Sequence, residues 1–75
     1  MNKKEIKVIL EALLLASETP LTIKKAHAVF DSEPGLKMIE SCLVEIQLEW
    51  KDRGLDLVRT SLGWRFQTKA DYISQ

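Results

Sequence analysis

The spacing of apolar residues changes once along this chain, at Gly54, and that change limits the fold more than any other feature. Before Gly54 apolar side chains recur every three or four residues, and after it every second residue, which is the difference between helix and strand. Ile6, Ile9, Leu10, Leu13 and Leu14 mark a first helix from Lys3 to Ser17 with one buried stripe. Pro20 stops it, because the residue before a proline is pushed out of helical geometry. Thr22 is a suitable N-cap for a second helix, in which Ile23, Ala26 and Phe30 point inward and Lys24 and Lys25 outward. Asp31 to Gly35 reads as a turn, with Ser32 as cap and Pro34 in the first turn of a third helix. Leu36, Ile39, Leu43, Ile46 and Trp50 carry that helix from about Pro34 to Arg53, and Gly54 stands where a left-handed C-terminal cap is wanted.

Beyond Gly54, Leu55, Leu57 and Arg59 alternate with Asp56, Val58 and Thr60. Ser61-Leu62-Gly63 turns the chain, and Trp64 to Thr68 returns with Trp64 and Phe66 on one face. A lone hairpin is marginal in water, so this aromatic face must pack on the helices. Three helices followed by a two-stranded wing make a mainly α chain of the α+β class, a winged helix-turn-helix spanning residues 1–70. Residues 71–75 continue an amphipathic segment that starts at Lys69 and stops without a cap, so the chain reads as the front part of something longer.

Helix-turn-helix order suggests DNA binding, but the charges argue the other way. Eleven basic and eleven acidic side chains give a net charge of zero, so no overall positive field gathers polyanions. The outward face of helix three carries Lys37, Glu40, Ser41, Val44, Glu45, Leu48, Lys51 and Asp52, and its acids would repel phosphate. Direct DNA binding by this domain alone is therefore disfavoured. A DNA-binding winged-helix transcriptional regulator remains the alternative, with Arg59, Arg65, Lys24, Lys25 and Lys37 as its phosphate contacts and salt-sensitive binding as its signature. The regulatory appendage of an enzyme is a third reading.

No catalytic, cofactor-binding or metal site is assigned. His27 and Cys42 have no metal-ligand spacing, Glu11 against Lys7 and Glu45 against Lys51 are the pattern of solvated helix faces, and nucleophile and phosphate-loop motifs are absent. The single cysteine suits a reducing, cytoplasmic setting. The longest apolar run falls short of the ~20 residues a membrane span needs, and no secretory signal is convincing.

Helix one has a second apolar side, Val8, Ala12 and Leu15, opposite the first. Either a partner covers it or helix one is simply central. The first reading makes Val8, Ala12 and Leu15, with Val44 and Leu48 of helix three, a self-association surface.

Two stretches carry a family resemblance. Ile9-Leu10-Glu11-Ala12-Leu13-Leu14-Leu15-Ala16-Ser17, with Glu18-Thr19-Pro20-Leu21-Thr22 directly after it, resembles the first helix of the segregation and condensation protein B family. Arg53-Gly54-Leu55-Asp56-Leu57-Val58 and Gly63-Trp64-Arg65-Phe66-Gln67-Thr68 resemble its wing. Leu15 stands where an aromatic is common, and Thr19 where an acid often precedes the proline. The resemblance implies a non-enzymatic subunit of the bacterial SMC condensin complex, acting in chromosome condensation and segregation. It implies a homodimer whose partners are an ScpA-like kleisin and an SMC ATPase, a cytoplasmic protein reaching the nucleoid through the complex. Members of the family carry a second winged-helix domain after the first.

Overall fold

The computed structural model describes residues 2–30 and 34–68. Its elements are α1 (Lys3–Ala16), α2 (Ile23–Val29), α3 (Leu36–Glu49), β1 (Leu55–Thr60) and β2 (Gly63–Thr68). The three helices and antiparallel hairpin appear in the order expected from the change in period. The boundary near residue 70 and the segment after it lie outside the described residues.

Helix ends are set by local chemistry. Asn2 accepts from the Glu5 amide while the Glu5 carboxylate accepts from the Asn2 amide, a reciprocal capping box at the head of α1. The Asn2-x-x-Glu5 pattern was available in the sequence as a signal for it. Ahead of Pro20, α1 ends at Ala16 with Ser17 extended. Thr22 caps α2 by accepting from the Lys25 amide, as the sequence indicated. The third helix is shorter than expected at both ends. Its N-cap is Gly35, which offers no side chain, and Pro34 lies outside the helix; Ser32, the expected cap, falls outside the described residues. At the other end the helix stops at Glu49 rather than Arg53. Trp50 closes it, its amide donating to the Ile46 carbonyl and the following Lys51 amide to that of Leu48, and the Trp50 ring lies against Phe66 at 4.8 Å between centroids. Gly54 therefore has no capping role, and positive φ belongs instead to Gly63.

The core is one cluster drawn from every element: Ile6, Leu10 and Leu14 of α1, Ala26 and Phe30, Ile39, Cys42, Leu43 and Ile46 of α3, Leu57 and Trp64. Burying each large aliphatic side chain stabilises by roughly 1.5–3 kcal/mol. Leu36, placed in this stripe from spacing alone, is 53% exposed because it begins the helix one turn beyond the core.

The wing is joined to the helices by backbone. Leu21, between α1 and α2, bridges to Trp64: each amide donates to the other's carbonyl, at 2.7 and 2.8 Å. Gly63 makes this approach possible, since a Cβ there would lie 2.7 Å from the Leu21 carbonyl oxygen, and its φ is +135°. On the other side of the sheet, Gln47 of α3 donates from Nε2 to the Leu57 carbonyl at 2.9 Å.

Candidate protein-interaction surface

Burying Ile6, Leu10 and Leu14 turns the opposite side of α1 to solvent. At about 100° per residue, Val8, Ala12 and Leu15 lie together on that side. Val8 is 60% and Leu15 55% exposed, and Ala12 between them is also exposed. Helix one is thus at the surface, and the reading of it as a centrally buried helix is corrected. Beside this strip Lys4, Glu5, Val8 and Ile9 line a depression of about 340 Å³.

The same geometry exposes Val44, at 42%, and Leu48, at 64%, on α3. Val44 lines a second depression, of about 420 Å³, with Lys37, Glu40, Ser41 and Glu45. The five candidate residues are all accessible, but they form two strips. Lys3 pairs with Glu45, and Lys7 with Glu45 at 3.4 Å and with Glu49, across the outer seam of α1 and α3. By helical position these charges stand between the α1 strip and the α3 strip.

Sequence spacing alone missed this seam. It paired Lys7 with Glu11 and Glu45 with Lys51 along single helices, whereas the acids of α3 face the lysines of α1. The signal was present in the repeats Lys3/Lys7 and Glu45/Glu49, each one helical turn apart. Hydrogen bonding to Glu49 raises the Lys7 amine above its ordinary value, and hydrogen bonding from Lys3 lowers the Glu45 carboxyl below its own. Cys42 is fully buried, and desolvation raises its thiol, the behaviour of a small core residue.

The candidate phosphate contacts lie on four elements, the two strands, α2 and α3. Arg59 lies over the Trp64 ring at 5.7 Å, Lys24 and Lys25 are on α2, and Lys37 shares its depression with Glu40 and Glu45. Among the described residues no three His, Cys, Asp or Glu side chains are placed to hold a metal, and no helix is long and apolar enough to cross a membrane.

A helix-turn-helix followed by a two-stranded wing, with apolar strips exposed on both long helices, defines a winged-helix module. The comparisons give the family. The family described as segregation and condensation complex subunit ScpB matches residues 8–75, and the chain belongs to it. A segregation and condensation protein B homolog from Coxiella burnetii is 32% identical, over 96% of this chain and 35% of its own length. The crystal structure of ScpB from Mycobacterium tuberculosis superposes with a TM-score of 0.87 at 35% identity, over 97% of this chain and 46% of that one. A crystal structure of a dimer of the ScpB N-terminal domain complexed with an ScpA peptide gives a TM-score of 0.82 at 27% identity, covering 97% of this chain and 86% of that one. The chain spans about a third of the length of the curated relative.

Proposed function

We propose that this chain is the N-terminal dimerisation and scaffold domain of a non-enzymatic subunit of the bacterial SMC condensin complex. It acts in the cytoplasm, supporting a kleisin in chromosome condensation and segregation. Residues 1–70 are the winged-helix domain. The observation that carries the reading is the outer face of α1, where Val8 and Leu15 stand exposed on a helix whose other side is already buried. A contiguous apolar strip of this kind marks a protein contact. The N-terminal domain of a relative, crystallised as a dimer with an ScpA peptide, supports the same reading.

The two strips suit two tasks. Val8, Ala12 and Leu15 serve self-association, while Val44 and Leu48, beyond the charged seam, offer a second protein contact on the helix that a DNA-binding relative would present to the major groove.

The test is a fluorescence anisotropy titration of the 75-residue chain against the ScpA-type kleisin of the same genome and, separately, a duplex DNA of mixed sequence. Saturable kleisin binding with no duplex binding at moderate salt is expected. Duplex binding that weakens steeply with salt, without kleisin binding, would overturn the proposal in favour of a transcriptional regulator.

A further inference from the structure

A cleft of about 260 Å³ lies between the hairpin turn and the start of α2, and it shares no residue with either apolar strip. Ile23, Leu62 and Trp64 give it apolar walls, and among the described residues Arg59 is the one charge that lines it. Arg59 and Trp64 stand opposite each other in the hairpin register, which turns both side chains to the same face of the sheet. The guanidinium rests over the indole, 5.7 Å from its centroid. Stacking of this kind holds an arginine in place while leaving its planar fork of donors free. None of the ion pairs among the described residues engages it.

Hydrogen bonds fix the frame of the cleft. Thr60 Oγ1 accepts from the Leu62 amide at 3.1 Å and donates to the Gly63 carbonyl at 2.9 Å, while the Leu21–Trp64 bridge ties the turn to the segment before α2. One donor in the wall is unspent: the Trp64 indole Nε1–H is buried and has no hydrogen-bond partner among the described residues. A buried N–H dipole without an acceptor favours negative charge brought near it.

We propose that this cleft binds an acidic side chain of a peptide, its carboxylate taking the Arg59 fork while an apolar neighbour rests against Ile23 and Leu62. Paired guanidinium donors match a carboxylate bidentately. Leu62 is 70% exposed, so the neighbouring contact removes apolar surface from water. A chain terminus fits less well, because terminal carboxylates are captured by free backbone amides and the Leu62 and Trp64 amides are engaged. A nucleic-acid phosphate also fits less well: phosphate binding draws on several cations, and here a single guanidinium stands between apolar walls. The site does not depend on the self-association reading above.

The test is an NMR titration of the isotope-labelled chain with acetyl-leucyl-aspartyl-amide, following the indole N–H signal of Trp64, which Trp50→Phe distinguishes from that of Trp50. A saturable shift at millimolar peptide is expected, with none from the asparaginyl counterpart. Arg59 is exposed, so its variants keep the fold. Arg59→Gln should weaken binding about tenfold or more, and Arg59→Lys, which keeps the charge without the fork, should also weaken it. No shift, an equal shift from the asparaginyl peptide, or unchanged binding by Arg59→Gln overturns the site. Tighter binding of acetyl-alanyl-leucine, whose only carboxylate is its terminus, or of inorganic phosphate overturns the assignment to an acidic side chain.

Discussion

Two apolar stripes run along the same fourteen residues of α1. Ile6, Leu10 and Leu14 sit in the core, while Val8, Ala12 and Leu15, of similar chemistry and spacing, face solvent. Hydrophobic period fixes which residues share a side of a helix, but what covers that side depends on how much chain the rest of the fold supplies. Here α3 and the wing are enough for one side only. That exposed apolar stripe is the basis of the self-association surface proposed above.

The sharpest way to break the comparison is to shorten one residue on each side. Leu10 is fully buried, so Leu10→Ala should cost about 2–5 kcal/mol in urea unfolding, near the whole stability of so small a domain. Leu15→Ala, read at concentrations where the chain is monomeric, should stay within about 0.5 kcal/mol. Equal costs would mean the two stripes are not distinct.

Next in size is the bridge that closes the inner side. Gly63→Ala forces a Cβ to within 2.7 Å of the Leu21 carbonyl and strains a φ of +135°. It should cost about 2 kcal/mol or more, read as a lower midpoint of thermal unfolding. A midpoint within a degree of wild type would show that the Leu21–Trp64 pairing does not hold the wing.

The smallest effect lies at the charged seam between the strips. Glu45 has its pKa lowered by Lys3, so its contribution is complete above the ordinary carboxylate range and is lost as pH falls through the depressed value. Lys7 has its pKa raised by Glu49, so its contribution is complete below the ordinary lysine value and is lost as pH rises through the raised one. Both effects are modest because the pairs are solvent-screened. Stability should be flat across neutral pH with shallow declines at either extreme. Glu45→Gln should flatten the acid decline and, to a lesser extent, the alkaline one, because Glu45 also helps raise Lys7; an unchanged acid limb would show that the seam does not contribute.

Much of this was legible in the residues. The break in period at Gly54, the stop at Pro20, the Thr22 cap and the aromatic face of the hairpin all act through local sterics or alternation, which neighbouring residues reveal. The end of α3 was not legible, because Trp50 leaves the helix to meet Phe66 of β2, a contact between distant parts of the chain. Glycine roles were exchanged for the same reason: Gly54 comes after a helix and suits a cap, yet Gly63 is the one pressed against Leu21. At the candidate surface all five residues proved exposed, but their division into two strips depends on how α1 and α3 pack, which decides that Lys3 and Lys7 meet Glu45 and Glu49.

The central claim is that the outer stripe of α1 is an interface and not core. Sedimentation velocity and far-ultraviolet circular dichroism of a chain carrying Val8→Glu and Leu15→Glu test it most directly. A fully helical monomer, beside a wild-type chain that dimerises with rising concentration, is the expected result. Loss of helical signal in the double variant would place Val8 and Leu15 in the core and contradict the account.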